Sequence, residues 1–156
     1  MGLCQEEARG GAALFYTLYA QALADRALTG ERRGSDRLCR ALQEARRLFG
    51  KFRLCWYRGV AYAYSSLCAF EAGSYFEGAG YLAEAQSSAD LLESDYEKCV
   101  VNRVSAQIKR RIVQDGLGAA DFAAVIPEPF SFYKEAALRI TQTLNLPVET
   151  AYLARM

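Results

Sequence analysis

No histidine occurs anywhere in the 156 residues, and that absence decides most of the chemistry open to the chain. Serine and cysteine nucleophiles are ordinarily activated by a neighbouring imidazole, which is also the commonest nitrogen ligand of zinc. The five cysteines, Cys4, Cys39, Cys55, Cys68 and Cys99, form no Cys-x-x-Cys pair. An odd, scattered set argues against a disulfide framework and for a reducing, cytoplasmic compartment. Cys55 and Cys68 have no visible activating base and read as small core residues. Glu71, Glu77 and Glu84 follow at steps of six and seven and invite a paired-carboxylate reading, but no Glu-x-x-His motif accompanies them, so a di-metal bundle is not expected. The residues therefore predict no enzyme, no metal and no cofactor, and leave surface complementarity as the means of action.

Two other groups of side chains could bind something. Trp56, Tyr57, Tyr62 and Tyr64 could line a ligand groove, although aromatics at helical spacing more often fill a core. Arg and Lys outnumber Asp and Glu between Arg26 and Arg58, and Lys109-Arg110-Arg111 adds a second basic cluster. Such an excess suits an acidic partner helix or a peripheral contact with acidic lipid headgroups, but it is also what a solvated helix face looks like. Nucleic acid is not expected: the net charge is only +1 and no base-stacking motif stands beside the arginines.

The elements that must position these residues are helices. Hydrophobic residues reach 52% and charged ones 24%, a balance that supports one packed domain spanning 1–156. Charged residues break every apolar segment, which predicts a soluble protein, and Glu6 stands where an N-terminal acylation motif needs Ser or Thr. Helix one is expected from about Glu6 to Leu28, with Phe15, Leu18 and Ala22 at helical spacing, stopping at Thr29-Gly30. Helix two follows from Ser35, with Leu38, Leu42, Ala45 and Phe49 on one face, closed by Gly50. Helix three, over 52–72, would turn Trp56, Val60, Ala63, Leu67 and Phe70 to one side before Gly73.

Ser74 with Glu77, and Ser94 with Glu97, have the spacing of capping boxes at the starts of helices four and five. Tyr75, Gly78, Leu82, Ala85, Ala89 and Leu92 then form a stripe whose small residues imply close packing. Val101, Val104, Ile108 and Ile112 give the buried face of helix five, ended by Asp115-Gly116. The span 116–129, framed by glycines and by Pro127 and Pro129, reads as an extended strap. A last amphipathic helix, from Ser131 to Leu144, is followed by a turn or two that Pro147 starts. The fold class expected is all-α, in antiparallel helical pairs like a tetratricopeptide or short solenoid array, because the connections are short.

Tyr62, Ala69, Gly73, Tyr75, Gly78, Leu82 and Ala85 fall where the tetratricopeptide pattern wants aromatic and small residues. A second resemblance follows the order of motifs: Tyr19-Ala20-Gln21-Ala22, then Ala41-x-x-x-Ala45-x-x-x-Phe49, then Trp56 through Tyr64, then Phe76-Glu77-Gly78-Ala79-Gly80-Tyr81-Leu82-Ala83-Glu84-Ala85, then Asp121-Phe122-Ala123-Ala124-Val125-Ile126-Pro127. Over about residues 12–145 the chain resembles the C-terminal half of a Bro domain, the helical domain of ALIX-like ESCRT adaptors. Phe76 stands in place of a family glycine, and the segment before Pro127 is short and lacks a tyrosine.

That resemblance implies an adaptor that binds an amphipathic helix of a Snf-class subunit of the third ESCRT complex, in the cytoplasm and at endosomes. Carried onto this chain, the docking patch would comprise Ala27, Leu38, Ala41 and Leu42, with Arg26 where an aromatic anchor would be expected. Leu38 and Leu42 equally suit a core. If a neighbouring half-domain has been lost, an exposed apolar edge on helix one and self-association are expected. The alternatives are a tetratricopeptide-like scaffold with an unrelated peptide ligand and a small RNA-binding or enzyme-accessory protein.

Overall fold

Seven α-helices carry the described part of the chain: α1 (Leu3–Asp25), α2 (Ser35–Phe49), α3 (Arg58–Glu71), α4 (Tyr75–Leu92), α5 (Asp95–Gln114), α6 (Phe130–Leu144) and α7 (Pro147–Ala154). They are seen in a computed structural model, which describes residues 3–26, 35–50, 52 and 55–156. Among these residues there is no strand, and no helix is long and apolar enough to cross a membrane. The fold is all-α, as the sequence predicts.

Consecutive helices pair, α1 with α2, α3 with α4 and α5 with α6, while α3 also packs on α5 and on α2. Within the α3/α4 pair, Arg58 reaches Glu84 and Ser88, Tyr62 meets Tyr81, and the Ser66 hydroxyl donates to the Gly78 carbonyl. These contacts run in opposite directions along the two helices, so the pair is antiparallel. The approach is close: a Cβ on Gly78 would lie 2.5 Å from the Phe70 ring, and one on Gly59 would lie 3.3 Å from the Ala85 carbonyl. A side chain at Gly78 would force the Phe70 ring to move, and one at Gly59 would need its neighbours to give by a few tenths of an ångström.

The helix stops follow backbone chemistry. Gly50, Gly73 and Gly116 have φ of +49°, +81° and +66°, the left-handed turn that a side chain resists. Ser94 caps α5, its hydroxyl accepting from the Glu97 amide at 3.3 Å. The reciprocal half of that box is absent because the Glu97 carboxylate turns inward, where its Oε1 accepts from the Gly59 amide at 3.0 Å, at the start of α3. One acidic side chain of α5 thus satisfies an orphan donor of a neighbouring helix. Ser74 makes no side-chain cap, and Glu77 instead accepts from the Tyr81 hydroxyl at 2.6 Å; the first capping box does not form.

Burial pushes the Glu97 carboxyl pKa above its ordinary 4.5, and the backbone amides around it only partly offset this. The folded protein then holds that proton more tightly than the unfolded chain. Stability from Glu97 is full below the unfolded value and falls as pH rises through the folded one. The melting temperature of wild type relative to Glu97→Gln, which keeps a carbonyl acceptor for Gly59, is expected to drop as pH rises above the ordinary carboxylate range. A gap that stays flat or widens in the other direction would refute this.

Two expectations about these elements are corrected, and the faces of α1 are resolved. The span 116–129 is not an extended strap: Ala119–Phe122 is a turn of 3-10 helix, and Phe122 and Ile126 plug the core. Phe122 rests against both Phe70 and Phe76, so Phe76 has a stacking partner. Helix three begins at Arg58, after Tyr57 in the left-handed region (φ 65°), which leaves Trp56 exposed rather than on the core face. On α1 the core is met by Ala13, Thr17, Ala20, Leu23 and Ala24, while Phe15, Leu18 and Ala22 face outward. Two apolar stripes share that helix, and helical spacing alone does not say which one faces in.

Candidate functional site

The docking patch carried over from the resemblance is not a surface. Leu38, Ala41 and Leu42 are 2%, 4% and 1% exposed and belong to the main core with Ala20, Leu23, Ala24, Val60 and Ala63. Ala27 lies outside the described residues. The cause is plain: α2 has a single apolar stripe, and α1 and α3 need it to close the stack.

The other face of α2 does line an open groove, of about 670 Å³, between α1 and α2. Tyr16 and Tyr19 form the α1 side, and Arg37, Arg40, Gln43, Glu44 and Arg47 the α2 side, with Ala41 between them. Arg37, Arg40, Glu44 and Arg47 follow at helical steps along α2 and span roughly 15 Å at 1.5 Å per residue. Arg47 is engaged, donating to both Glu44 oxygens at 2.5 and 3.0 Å, and this bond holds the exposed Glu44 carboxyl below its usual range. Among the described residues Arg37 and Arg40 make no ion pair. Most of the groove wall is thus aliphatic and aromatic, and its rim carries unneutralised positive charge. That combination suits an amphipathic segment with acidic residues.

A second concavity, of about 700 Å³, lies where α3 meets α4, but its charges are already spent on one another. Arg58 stacks on Tyr62, 4.4 Å from ring centroid, and donates to Glu84 at 3.0 Å and Ser88 at 2.5 Å. Arg46 stacks on Tyr81 at the same distance and donates to Ser65. Glu77 and Glu84 are therefore separate, each with its own partner, and with Glu71 at the far end of α3 the three do not converge. Of the aromatics at helical spacing, Tyr64 is buried and Tyr57 and Tyr62 are half-buried. In the second basic cluster two of the three side chains are engaged, Lys109 donating to the Ile126 carbonyl at 2.9 Å and Arg111 to Asp115 at 2.7 Å, while Arg110 is exposed.

Sequence reasoning missed the most charged place in the interior. Arg103, fully buried on α5, donates from Nε and Nη2 to both oxygens of Glu149 on α7 at 2.8 and 2.9 Å, and from Nη2 to the Tyr64 hydroxyl at 2.8 Å. Its guanidinium lies 3.9 Å from the centroid of Tyr152. The hydroxyls of Tyr152 and Tyr64 both donate to Asp25, at 2.7 and 3.2 Å, at the end of α1. Burial raises the Asp25 carboxyl pKa, against the pull of those two hydroxyls and of Arg103. Cys99 lies on the same helix, and burial pushes its thiol up to about 12, far from a reactive thiolate. The network ties four helices together, and Arg103, Glu149, Tyr64 and Tyr152 are buried within it, so it reads as architecture.

Comparison with protein families, with characterised proteins and with solved structures finds no match to this chain.

Proposed function

We propose that the chain is a non-catalytic interaction module, a Bro-like adaptor that takes an acidic amphipathic helix of a partner protein in the α1–α2 groove. The observation that carries this reading is the groove itself: Tyr16 and Tyr19 supply aromatic wall, and Arg37 and Arg40 stand on its rim with no ion pair among the described residues. Apolar anchors give such a site its affinity, and the arginines give it register and a fast encounter. The order of motifs over residues 12–145 makes a Snf-class subunit of the third ESCRT complex the first partner to try, and cytoplasmic, endosome-associated sorting its setting. The α3/α4 hairpin, with Gly73 at its turn and Gly78 at its crossing, favours a second reading, a tetratricopeptide-like scaffold for an unrelated peptide.

Fluorescence anisotropy with a synthetic Snf-class C-terminal helix tests this. Wild type is expected to bind it in a salt-sensitive way, and Arg37→Glu/Arg40→Glu to bind roughly tenfold more weakly or worse. Both arginines are exposed, so the variant should keep its helical circular dichroism. Unchanged binding by the variant would remove the groove from the account. Failure of the Snf-class helix, with capture of other acidic helices, would favour the scaffold reading.

A further inference from the structure

We infer that the outer face of α1 is a self-association seam, on which a second copy of this chain packs with its α1 antiparallel. This goes beyond the groove, which lies on the α2 side of the helix. Opposite the core-facing Ala13, Thr17, Ala20 and Ala24, α1 carries Ala8, Gly11, Phe15, Leu18 and Ala22, all exposed, at successive steps of three, four, three and four. That is the a/d spacing of a helix seam. Phe15 is 63% and Leu18 45% exposed, whereas the outward face of α2 is Asp36, Arg37, Arg40, Gln43 and Arg47. The end helix of a stack ordinarily turns a polar face to water, and a helix apolar on every side is one that is covered.

A second copy is the occupant that the pattern itself selects. A two-fold axis crossing α1 between Tyr16 and Thr17 sets Phe15 against Leu18 of the other copy and Gly11 against Ala22. Large residues then meet at the centre, and small ones flank them and let the backbones approach. A Cβ on Gly11 would meet nothing within 4 Å in the single chain, so that position leaves room for the close approach of a second helix. The same axis sets Glu7 against Arg26, opposite charges, and runs the two helix dipoles head to tail. A parallel pair would set Glu7 beside Glu7 and align the dipoles unfavourably.

Sedimentation velocity on the whole chain over a wide concentration range decides the matter. Wild type is expected to reach twice the 17.3 kDa of one chain, and Phe15→Glu/Leu18→Glu to stay monomeric with unchanged helical circular dichroism. Gly11→Leu is the sharper variant: it adds apolar surface, so it strengthens nonspecific association, but it blocks close approach and is expected to abolish this dimer. With Cys4 and Cys39 replaced by Ser, mixed Phe15→Cys and Leu18→Cys chains are expected to form disulfides between unlike chains. Linkage of like chains instead would overturn the antiparallel arrangement. A wild-type monomer at every concentration, or a dimer indifferent to Phe15→Glu/Leu18→Glu, would overturn the seam.

Discussion

Replacing Glu149 with Ala is expected to destabilise the fold by about 3–5 kcal/mol, because it strands the Arg103 guanidinium in the interior without the carboxylate bonded to it. Against a domain total of about 5–15 kcal/mol, that is enough to leave a large unfolded fraction at moderate temperature. Urea denaturation followed by circular dichroism measures it. The double variant Arg103→Leu/Glu149→Leu separates charge stranding from lost packing: removing both ions also removes their desolvation cost, so it should lie within about 1–2 kcal/mol of wild type. If the double variant is as damaged as the single, the pair matters for the hydrogen bonds to Tyr64 and the seating of α7 rather than for its own neutralisation.

Leu42→Asp is expected to be the most damaging substitution on α2, costing at least about 4–5 kcal/mol. Leu42 is 1% exposed, so the change removes a packed side chain and puts a carboxylate into the apolar core. Had Leu42 belonged to a docking surface, the same change would have spared the fold and abolished binding. A cooperative native-like melt for Leu42→Asp would return it to the surface and undo the burial described above. Charge reversal at Arg37 and Arg40, by contrast, should leave the melt nearly unaltered.

The middle of the chain is the most legible from sequence. Gly50, Gly73 and Gly116 stop helices because each takes a positive φ, and Val101, Val104, Ile108 and Ile112 are buried as their spacing predicts, on a helix that neighbours cover on most sides. Legibility fails where a helix offers two. On α1 both Ala13-Thr17-Ala20-Ala24 and Phe15-Leu18-Ala22 satisfy helical spacing, and packing chose the smaller residues because they let α1 lie close to α2 and α3. It fails again at 116–129, where the prolines suggest an extended run but Phe122 buries itself most readily from a tight turn.

Of the candidate site, the basic character of α2 is visible in sequence, but its pairing with Tyr16 and Tyr19 depends on how α1 and α2 cross. The Arg103 network carries no local signal at all. An arginine in the middle of a helix ordinarily reaches water, and its carboxylate partner lies 46 residues away. Glu97 is similar, because its spacing from Ser94 suggests a local box while its carboxylate serves another helix.

The bond from Tyr152 to Asp25 joins positions 127 residues apart, which ties the order of synthesis to the order of folding. On the ribosome, α3 and α4 can close as a hairpin early, but Arg103 must wait for Glu149 to emerge before it gains its counter-ion. A nascent chain stalled before α7 would hold a desolvated cation in a half-built interior, an invitation to chaperones. Docking of α7 is then the step that neutralises Arg103.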